Sequence, residues 1–271
     1  VRAAHALAKD ASRSAREALC SALGAEPFWG ALVEIGRALA ETHAAWAKTA
    51  LIAARRNAHP KARRGIAEAL GKFSHDADVA AALVEMLQDP SYLVVAAALE
   101  SLGRTHEPNA FEILVEHLGM PSWNDTIASG AARGLGESGD PRAVHPLIDA
   151  TRDDRGDDLR RAALSGLARL SHLLDERKPS IVEAIVACLA DEKIMIRLAA
   201  IGAAERLGER DAIGALRRIS DRDGDARLRR AALEAIDRIS EAQRAPAEVA
   251  KLRTEIAELR EELQTLRARL P

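Results

Sequence analysis

Apolar positions return along the chain with a nearly constant period. One fixed point of the pattern, called the anchor here, occurs eight times: Leu7, Leu39, Leu70, Leu102, Leu135, Leu167, Ala204 and Ile236. The gaps between successive anchors are 32, 31, 32, 33, 32, 37 and 32 residues. A period this regular is typical of stacked repeats, in which each unit contacts its neighbours along the array.

Each period contains two amphipathic segments. An Ala-rich segment such as 94–103 carries the anchor near its end, and its apolar residues recur at steps of three and four. We call this segment the second helix, and a segment such as 77–87, which follows the next turn, a first helix. No two-residue alternation is sustained, so we predict an all-α fold without a sheet.

Small residues mark both the ends and the contacts of the second helices. Glycine directly follows three anchors and predicts a left-handed closing residue at Gly71, Gly103 and Gly136. Alanines four and five residues before four anchors predict close approach of neighbouring second helices: Ala97, Ala98, Ala162, Ala163, Ala199, Ala200, Ala231 and Ala232.

Two further positions repeat in register with the anchors. Thirteen residues before them stand residues suited to turns or helix caps: Glu26, Asn57, Asp89, Ser122, Asp154, Asp191 and Asp223. Seven residues before four of them stands an arginine: Arg63, Arg160, Arg197 and Arg229. This register resembles the HEAT repeat over about residues 1–240, and the resemblance implies an α-α superhelical solenoid of HEAT-like helix pairs.

The register arginines, three of which have a second arginine beside them, should form a stripe. Such a stripe could bind a nucleic-acid backbone. Acidic residues stand six positions before several of the arginines, at Asp154, Asp191 and Asp223, and no aromatic residues interleave them. We therefore predict Asp–Arg pairs that link neighbouring repeats, and no nucleic-acid partner.

Several short segments narrow the resemblance. Five of them are similar to segments in the C-terminal HEAT domain of some zinc aminopeptidases of the aminopeptidase N family: 26–30 (Glu-Pro-Phe-Trp-Gly), 59–64, 90–92, 121–125 and 196–201. This implies a domain that shapes substrate access or assembly, with the catalytic domain of the parent enzyme as its partner. Because Val1 lies midway through a second helix, we expect residues to precede it. The alternative is an independent HEAT scaffold that binds another protein.

Catalytic motifs do not accompany this resemblance. The aminopeptidase zinc motif is His-Glu-x-x-His. Only His106-Glu107 matches its first two residues, Pro108 follows directly, and no second histidine completes the motif. Deoxyhypusine hydroxylase, also a HEAT-like array, binds iron through repeated His-Glu pairs, and this sequence offers one. We therefore predict no catalytic residue, no metal ligand and no cofactor in this chain.

Composition agrees with a folded helical chain. Hydrophobic residues make up 48% and charged residues 30%, and the net charge of −2 argues against a dedicated nucleic-acid or membrane surface. No apolar stretch approaches the roughly 20 residues of a spanning helix. Cys20 and Cys188 lie about five repeats apart, so we predict two buried thiols without a bridge. The cytoplasm is favoured because the chain needs no oxidising compartment.

The few aromatic residues are unevenly placed. Four of them lie ten to twelve residues before an anchor, at the turn into a second helix: Phe28, Trp29, Tyr92 and Trp123. Stacking should bring them to one edge of the array. They pack between adjacent repeats or form an edge that docks onto a protein, because large aromatic side chains dominate interface energetics.

The C-terminal segment follows another period. After a predicted linker at 241–247, apolar residues alternate at three and four over 248–271: Val249, Leu252, Ile256, Leu259, Leu263, Leu266 and Leu270. This pattern predicts a coiled-coil helix, and a homodimer through it. Parallel strands would pair Glu255 with Arg260 and Glu262 with Arg267. The alternative is a helix that folds back onto its own solenoid, since helices this short are marginal alone.

Between the sixth and seventh anchors the chain is longer. The extra residues fall at 171–179 and predict an extended turn, as insertions in repeat arrays go to loops. In all, the sequence predicts a solenoid over 1–240 with about seven helix pairs after a truncated first, a linker and a coiled-coil helix. Its predicted function is that of a non-catalytic interaction module.

Overall fold

Helices make up the regular structure of the chain. A computed structural model describes residues 2–10, 12–172, 174 and 178–243, and no strand occurs within these ranges. The chain divides into two compact units, Val1–Ala184 and Ile185–Pro271. The helices are α1 (Arg2–Lys9), α2 (Arg13–Ala25), α3 (Trp29–Glu41), α4 (Ala45–Ala54), α5 (Pro60–Leu70), α6 (Ala77–Met86), α7 (Tyr92–Thr105), α8 (Ala110–His117), α9 (Thr126–Glu137), α10 (Val144–Asp149), α11 (Asp157–Ser171), α12 (Lys178–Cys188), α13 (Ile194–Leu207), α14 (Asp211–Arg222) and α15 (226–243).

First and second helices alternate along the array. The anchors lie in α1 and in the odd-numbered helices from α3 to α15, and the even-numbered helices are the first helices. Short 3-10 turns, Trp123–Asp125 and Pro141–Ala143, lead into α9 and α10. Within the first unit, α3 packs on α5, α5 on α7, α7 on α9 and α9 on α11. The five second helices from α3 to α11 therefore form a continuous layer within the first unit.

Most anchors lie in the core, as their period predicts. The six anchors from Leu39 to Ala204 are fully buried. Leu7 and Ile236 are half-buried, and the positions beside Ile236 that are buried in α15 are Ala235 and Ile239. The alanines four residues before their anchors are also fully buried: Ala98, Ala163, Ala200 and Ala232. These methyl-sized side chains leave room for the neighbouring helices.

The predicted role of the three glycines is wrong. Gly71 has a φ of −63°, and Gly103 and Gly136 lie inside α7 and α9. The left-handed residues come later, at His43, His75, His106, Gly139 and Gly208. Helices α7 and α9 thus continue past Gly103 and Gly136, whereas α5 ends at its anchor and Gly71 caps it with an ordinary negative φ.

These internal glycines permit close helix contact. A methyl group on Gly103 would lie 2.0 Å from the carbonyl oxygen of Gly134, and one on Gly136 would lie 2.4 Å from Cα of Gly166. Such distances are far below van der Waals contact, so α7, α9 and α11 approach backbone to backbone. This contact is possible only without a Cβ atom.

The residues thirteen before the anchors form turns, as predicted. Asp89 Oδ1 accepts a hydrogen bond from the Ser91 backbone N–H at 2.9 Å, and Asp223 accepts one from Asp225 at 2.9 Å. Side-chain acceptors two residues ahead of a backbone donor are the Asx turns that open many helices.

The arginine ladder links repeats, but through other partners than predicted. Arg63 donates to Asp89 of the next repeat at 2.6 and 2.9 Å, and to the carbonyl oxygen of Asn57 at 3.0 Å. Arg197 likewise pairs with Asp223, 26 residues later. For Arg63 and Arg229 the residue six positions earlier, Asn57 or Asp223, offers its backbone oxygen while its side chain accepts a hydrogen bond in its own turn.

Three further predictions meet the structure only in part. Cys188 is buried but Cys20 is half-buried, and burial raises the pKa of the Cys20 thiol. Residues 241–243 continue α15 rather than forming a linker, and α12 begins at Lys178, within the predicted insertion.

In the part of the chain that the structure describes, no helix is long and apolar enough to span a membrane.

Candidate functional site

The four aromatic residues of the predicted edge stand at the starts of second helices. Phe28 and Trp29 open α3, Tyr92 opens α7, and Trp123 lies in the 3-10 turn before α9. Trp123 is 68% exposed and Phe28 59%, and Tyr92 is also exposed. Trp29 is half-buried.

Ring contacts join these residues into two groups. Phe28 lies 5.6 Å from Trp29, and Trp29 stacks on His59 of the next repeat at 5.8 Å. Lys61 Nζ lies 4.5 Å above the Trp29 ring. Trp29 therefore packs between α3 and α5, as in the first of the two alternatives for the aromatic residues, packing between adjacent repeats. Phe28 is exposed instead. His59 was not singled out from the sequence, although the His-Pro word at the α5 start contains it.

The second group pairs Tyr92 with Trp123 at 6.4 Å. The turn that presents Trp123 has two successive left-handed residues, Asn124 with φ 49° and Asp125 with φ 50°. Asn and Asp adopt left-handed backbone more readily than other residues with a side chain, so this sequence suits the turn. The Asp125 carboxylate occupies the space where a Cβ on Gly156 would lie, at the start of α11. The turn thus holds an exposed indole in a defined place.

A groove of about 820 Å³ crosses the second helices of the first unit. Its floor contains small side chains such as Ala40, Ala69, Ala96 and Ala97. Its walls carry charged side chains from α3 to α11: Arg37, Glu41, Arg64, Glu68, Lys72, Glu100, Arg104, Arg133, Glu137 and Arg169. We call this surface the central groove.

Ion pairs connect the walls of the central groove. Glu100 accepts from Arg104 of its own helix and from Arg133 of α9, the latter at 2.7 Å. Glu137 accepts from Arg169 of α11 at 2.5 Å and lies 3.6 Å from Arg104. Three arginines therefore share two carboxylates across α7, α9 and α11.

A smaller groove of about 450 Å³ joins the central groove to the aromatic edge. Its apolar lining includes Trp29, Val33, Pro60 and Leu93, and Lys61 lies beside them. Arg37, Arg64, Glu68 and Leu93 line both grooves. We call this smaller groove the apolar pocket. The two depressions and the Trp29 group form one continuous surface.

Sequence reasoning missed the central groove, although its signal is present. All but one of the charged wall residues stand two positions before or two after an anchor. Glu100 and Arg104, for example, flank Leu102, and Arg133 and Glu137 flank Leu135. Positions four apart lie on one face of a helix, so the period alone places these charges side by side.

The coiled-coil seam falls outside the described residues: Val249, Leu252, Ile256, Leu259, Leu263, Leu266 and Leu270. Among the described residues, no group of three or more His, Cys, Asp or Glu side chains could hold a metal ion.

Known sequence families match the middle of the chain. The model of HEAT repeats matches residues 47–130, and the model of the PBS lyase HEAT-like repeat matches residues 127–153. No curated protein matches the sequence. Nothing in these findings links the chain to aminopeptidase N-like enzymes.

Solved structures share the architecture. The complex of CpcE and CpcF of phycocyanin lyase from Nostoc sp. PCC7120 is 21% identical over 82% of this chain and 86% of the matched chain, with a TM-score of 0.52. A Kap121p mutant is 12% identical over 91% of this chain and 30% of that one, with a TM-score of 0.51. Human deoxyhypusine hydroxylase is 19% identical over 89% of both chains, with a TM-score of 0.41.

Identities this low show the fold alone. The helices, the matched HEAT models and the first two of these structures together confirm the predicted all-α solenoid of HEAT-like helix pairs.

Proposed function

We propose that this chain is a non-catalytic scaffold that binds a protein along the central groove and the aromatic edge. One observation carries the proposal: the groove crosses five consecutive second helices and continues into the apolar pocket and the Trp29 group. Extended surfaces of this kind are the usual binding sites of solenoids.

The exposed aromatic side chains support a protein partner. Trp123 and Tyr92 contact each other and remain exposed, and Trp and Tyr are enriched among the residues that dominate binding energy.

A parent aminopeptidase is one specific form of this function. It rests only on the resemblance of five short sequence segments to the aminopeptidase HEAT domain, so we favour the independent scaffold. The reading frame upstream of Val1 distinguishes the two forms: a His-Glu-x-x-His helix encoded there supports the parent enzyme, and a frame without one supports the independent scaffold.

We also propose that residues 248–271 associate two copies of the chain. The proposal rests on the heptad pattern of their apolar positions. Two bound copies would present two grooves to one partner and raise the apparent affinity by multivalency.

Selection of displayed protein fragments tests the scaffold function. A library from the source organism is selected on the full chain, and the enriched fragments are measured against Phe28→Ala/Trp123→Ala. We expect this variant to weaken binding about tenfold or more. Leu233→Ala, which also removes an exposed apolar side chain, is the control and should bind normally. A library without binders, or binders indifferent to both variants, overturns the proposal.

The non-catalytic part has a separate test. Metal analysis of the purified chain should find neither iron nor zinc in stoichiometric amount. A stoichiometric metal would contradict it.

A further inference from the structure

We infer that the central groove binds an acidic segment of a partner protein, with one large apolar side chain of that segment in the apolar pocket. The inference rests on the proposed scaffold function and specifies its ligand. It starts from the charges that the two grooves present.

Basic side chains outnumber acidic ones along this surface. Among the described residues, the linings contain seven Lys or Arg and four Glu side chains: Arg37, Lys61, Arg64, Lys72, Arg104, Arg133 and Arg169, against Glu41, Glu68, Glu100 and Glu137. The whole chain carries a net charge of −2. The groove is therefore locally positive against a slightly negative background, and a cleft of one sign concentrates ligands of the other.

The exposure of the paired charges makes the groove more positive than this count suggests. In each Arg–Glu pair of its walls, the arginine is more exposed than the glutamate. The contrast is largest where Arg169, with 63% of its side chain exposed, covers Glu137, with 13%. A ligand in the groove thus meets these guanidinium groups before the carboxylates that they pair with.

Two lysines remain available for a ligand. Lys72 is exposed at the end of α5 and forms no ion pair within the described part of the chain. Lys61 is also exposed, and its ammonium group contacts the Trp29 ring rather than a carboxylate. Three arginines share Glu100 and Glu137, so they too have donors left for further acceptors.

The apolar pocket provides a place for an anchoring side chain. Trp29, Val33, Pro60 and Leu93 line its volume of about 450 Å³, which is within the range of small-ligand sites. Arg37 and Arg64 line this pocket and the central groove alike. A side chain held there would bring the flanking residues of its own chain onto the basic walls.

The length of the groove indicates the length of the segment. Packed helices lie about 8–10 Å apart, so the four steps from α3 to α11 span roughly 32–40 Å. An extended chain covers at most about 3.3–3.6 Å per residue, so about ten to twelve residues cross the groove. Such a segment can place several carboxylates against the groove arginines and Lys72.

Selection from a random displayed library of twelve-residue peptides tests the inference on the full chain. We expect the enriched peptides to combine several Asp or Glu residues with one large apolar residue. A fluorescein-labelled copy of the most enriched peptide then gives the Kd by anisotropy. The Kd should rise steeply with salt, since contacts between exposed charges are screened.

Charge reversal locates the bound peptide. Arg133→Glu/Arg169→Glu should weaken binding at least about tenfold, and Arg13→Glu/Arg152→Glu, which makes the same charge change at exposed positions outside the groove, should leave it unaltered. Circular dichroism shows whether each variant folds. Should the first variant unfold, Lys61→Glu/Lys72→Glu replaces it, because neither lysine has an ion pair to lose.

The outcomes separate this inference from the scaffold function. Neutral or basic peptides that depend on Phe28 and Trp123 overturn the acidic ligand and leave the scaffold intact. Peptides indifferent to both groove variants, or tighter binding of single-stranded DNA than of any peptide, also overturn the inference. A random peptide library without binders overturns the inference, whereas the scaffold function stands or falls with the selection of displayed protein fragments.

Discussion

Gly103 of α7 and Gly134 of α9 meet backbone to backbone, so that a methyl group on Gly103 would lie 2.0 Å from the Gly134 carbonyl oxygen. Alanine in a helix interior is normally better than glycine by about 0.5–1 kcal/mol. At Gly103 the sign should reverse, because the obstacle is backbone that no side-chain rotation can remove.

We therefore expect Gly103→Ala to lower the free energy of unfolding by about 1–3 kcal/mol. Gly24→Ala is the matched control, since a methyl group at this helical position meets no atom within 4 Å. The control should unfold at the same or a slightly higher denaturant concentration. Equal midpoints for the two variants in urea would contradict the close approach of α7 and α9.

The period of the sequence predicts which side chains are buried but not how near the helices come. The spacing alone places Leu102 and Leu135 in the core, and both are buried. The prediction for Gly103 is wrong because a glycine that follows a helix end and a glycine in a close helix contact give the same pattern in a single sequence. The distance between α7 and α9 decides between them, and no local pattern records it.

The candidate site was predictable only in part, for a related reason. The sequence predicts one aromatic edge at the starts of the second helices, yet Trp29 stacks on His59 while Trp123 is exposed. Glu100 and Arg104 could have been placed on one helix face from their four-residue spacing. Their partners on α9 and α11 depend on the relative positions of neighbouring helices along their axes, which the sequence does not indicate.

Enlarging a buried alanine of a second helix should overpack the core. Ala163 and Ala200 are fully buried four residues before their anchors. We expect Ala163→Leu and Ala200→Leu each to cost about 1–3 kcal/mol. Ala231→Leu, at a half-buried position of α15, should cost less. Thermal unfolding measures the difference. Unchanged stability in both buried variants would contradict tight packing around these alanines.

Breaking the ion pair between Asp89 and Arg63 should destabilise the first unit. Two hydrogen bonds join the side chains across neighbouring repeats, and 9% of the Asp89 side chain is exposed. Asp89→Asn can keep the bond to Ser91 but loses the charge, and we expect a cost of about 3 kcal/mol in urea unfolding. Asp154→Asn, at the same register position but exposed, should change stability by less than about 0.5 kcal/mol. Equal effects would contradict the buried ladder.

The same pair predicts a dependence on pH. Burial acts to raise the pKa of Asp89, but hydrogen bonds from Arg63 and Ser91 outweigh it, so that the pKa is lowered. A lowered pKa in the folded state contributes stability above the ordinary Asp value of about 3.9, which is lost as the pH falls through the lowered pKa. The difference in stability between the native chain and Asp89→Asn should therefore be constant from neutral pH to about pH 5 and shrink below pH 4. A difference that persists at pH 2 would contradict this assignment.

Removal of residues 247–271 tests the proposed homodimer directly. The full chain should show a mass that increases with concentration in sedimentation equilibrium, and the shortened chain should remain a monomer at every concentration. A full chain that stays monomeric would instead favour a C-terminal helix folded onto its own solenoid.

The charges beside the predicted seam decide the orientation of that dimer. In parallel strands, Arg260→Glu/Arg267→Glu places like charges against Glu255 and Glu262, so association should weaken while the helix content stays constant. Each exposed pair contributes only about 0.2–1 kcal/mol, so both changes and low salt are needed. Adding Glu255→Arg/Glu262→Arg should restore association. In antiparallel strands each row of charges faces its own copy, so the first double change would replace one like-charge row with another and leave association nearly unaltered. A dimer indifferent to these exchanges is therefore not parallel.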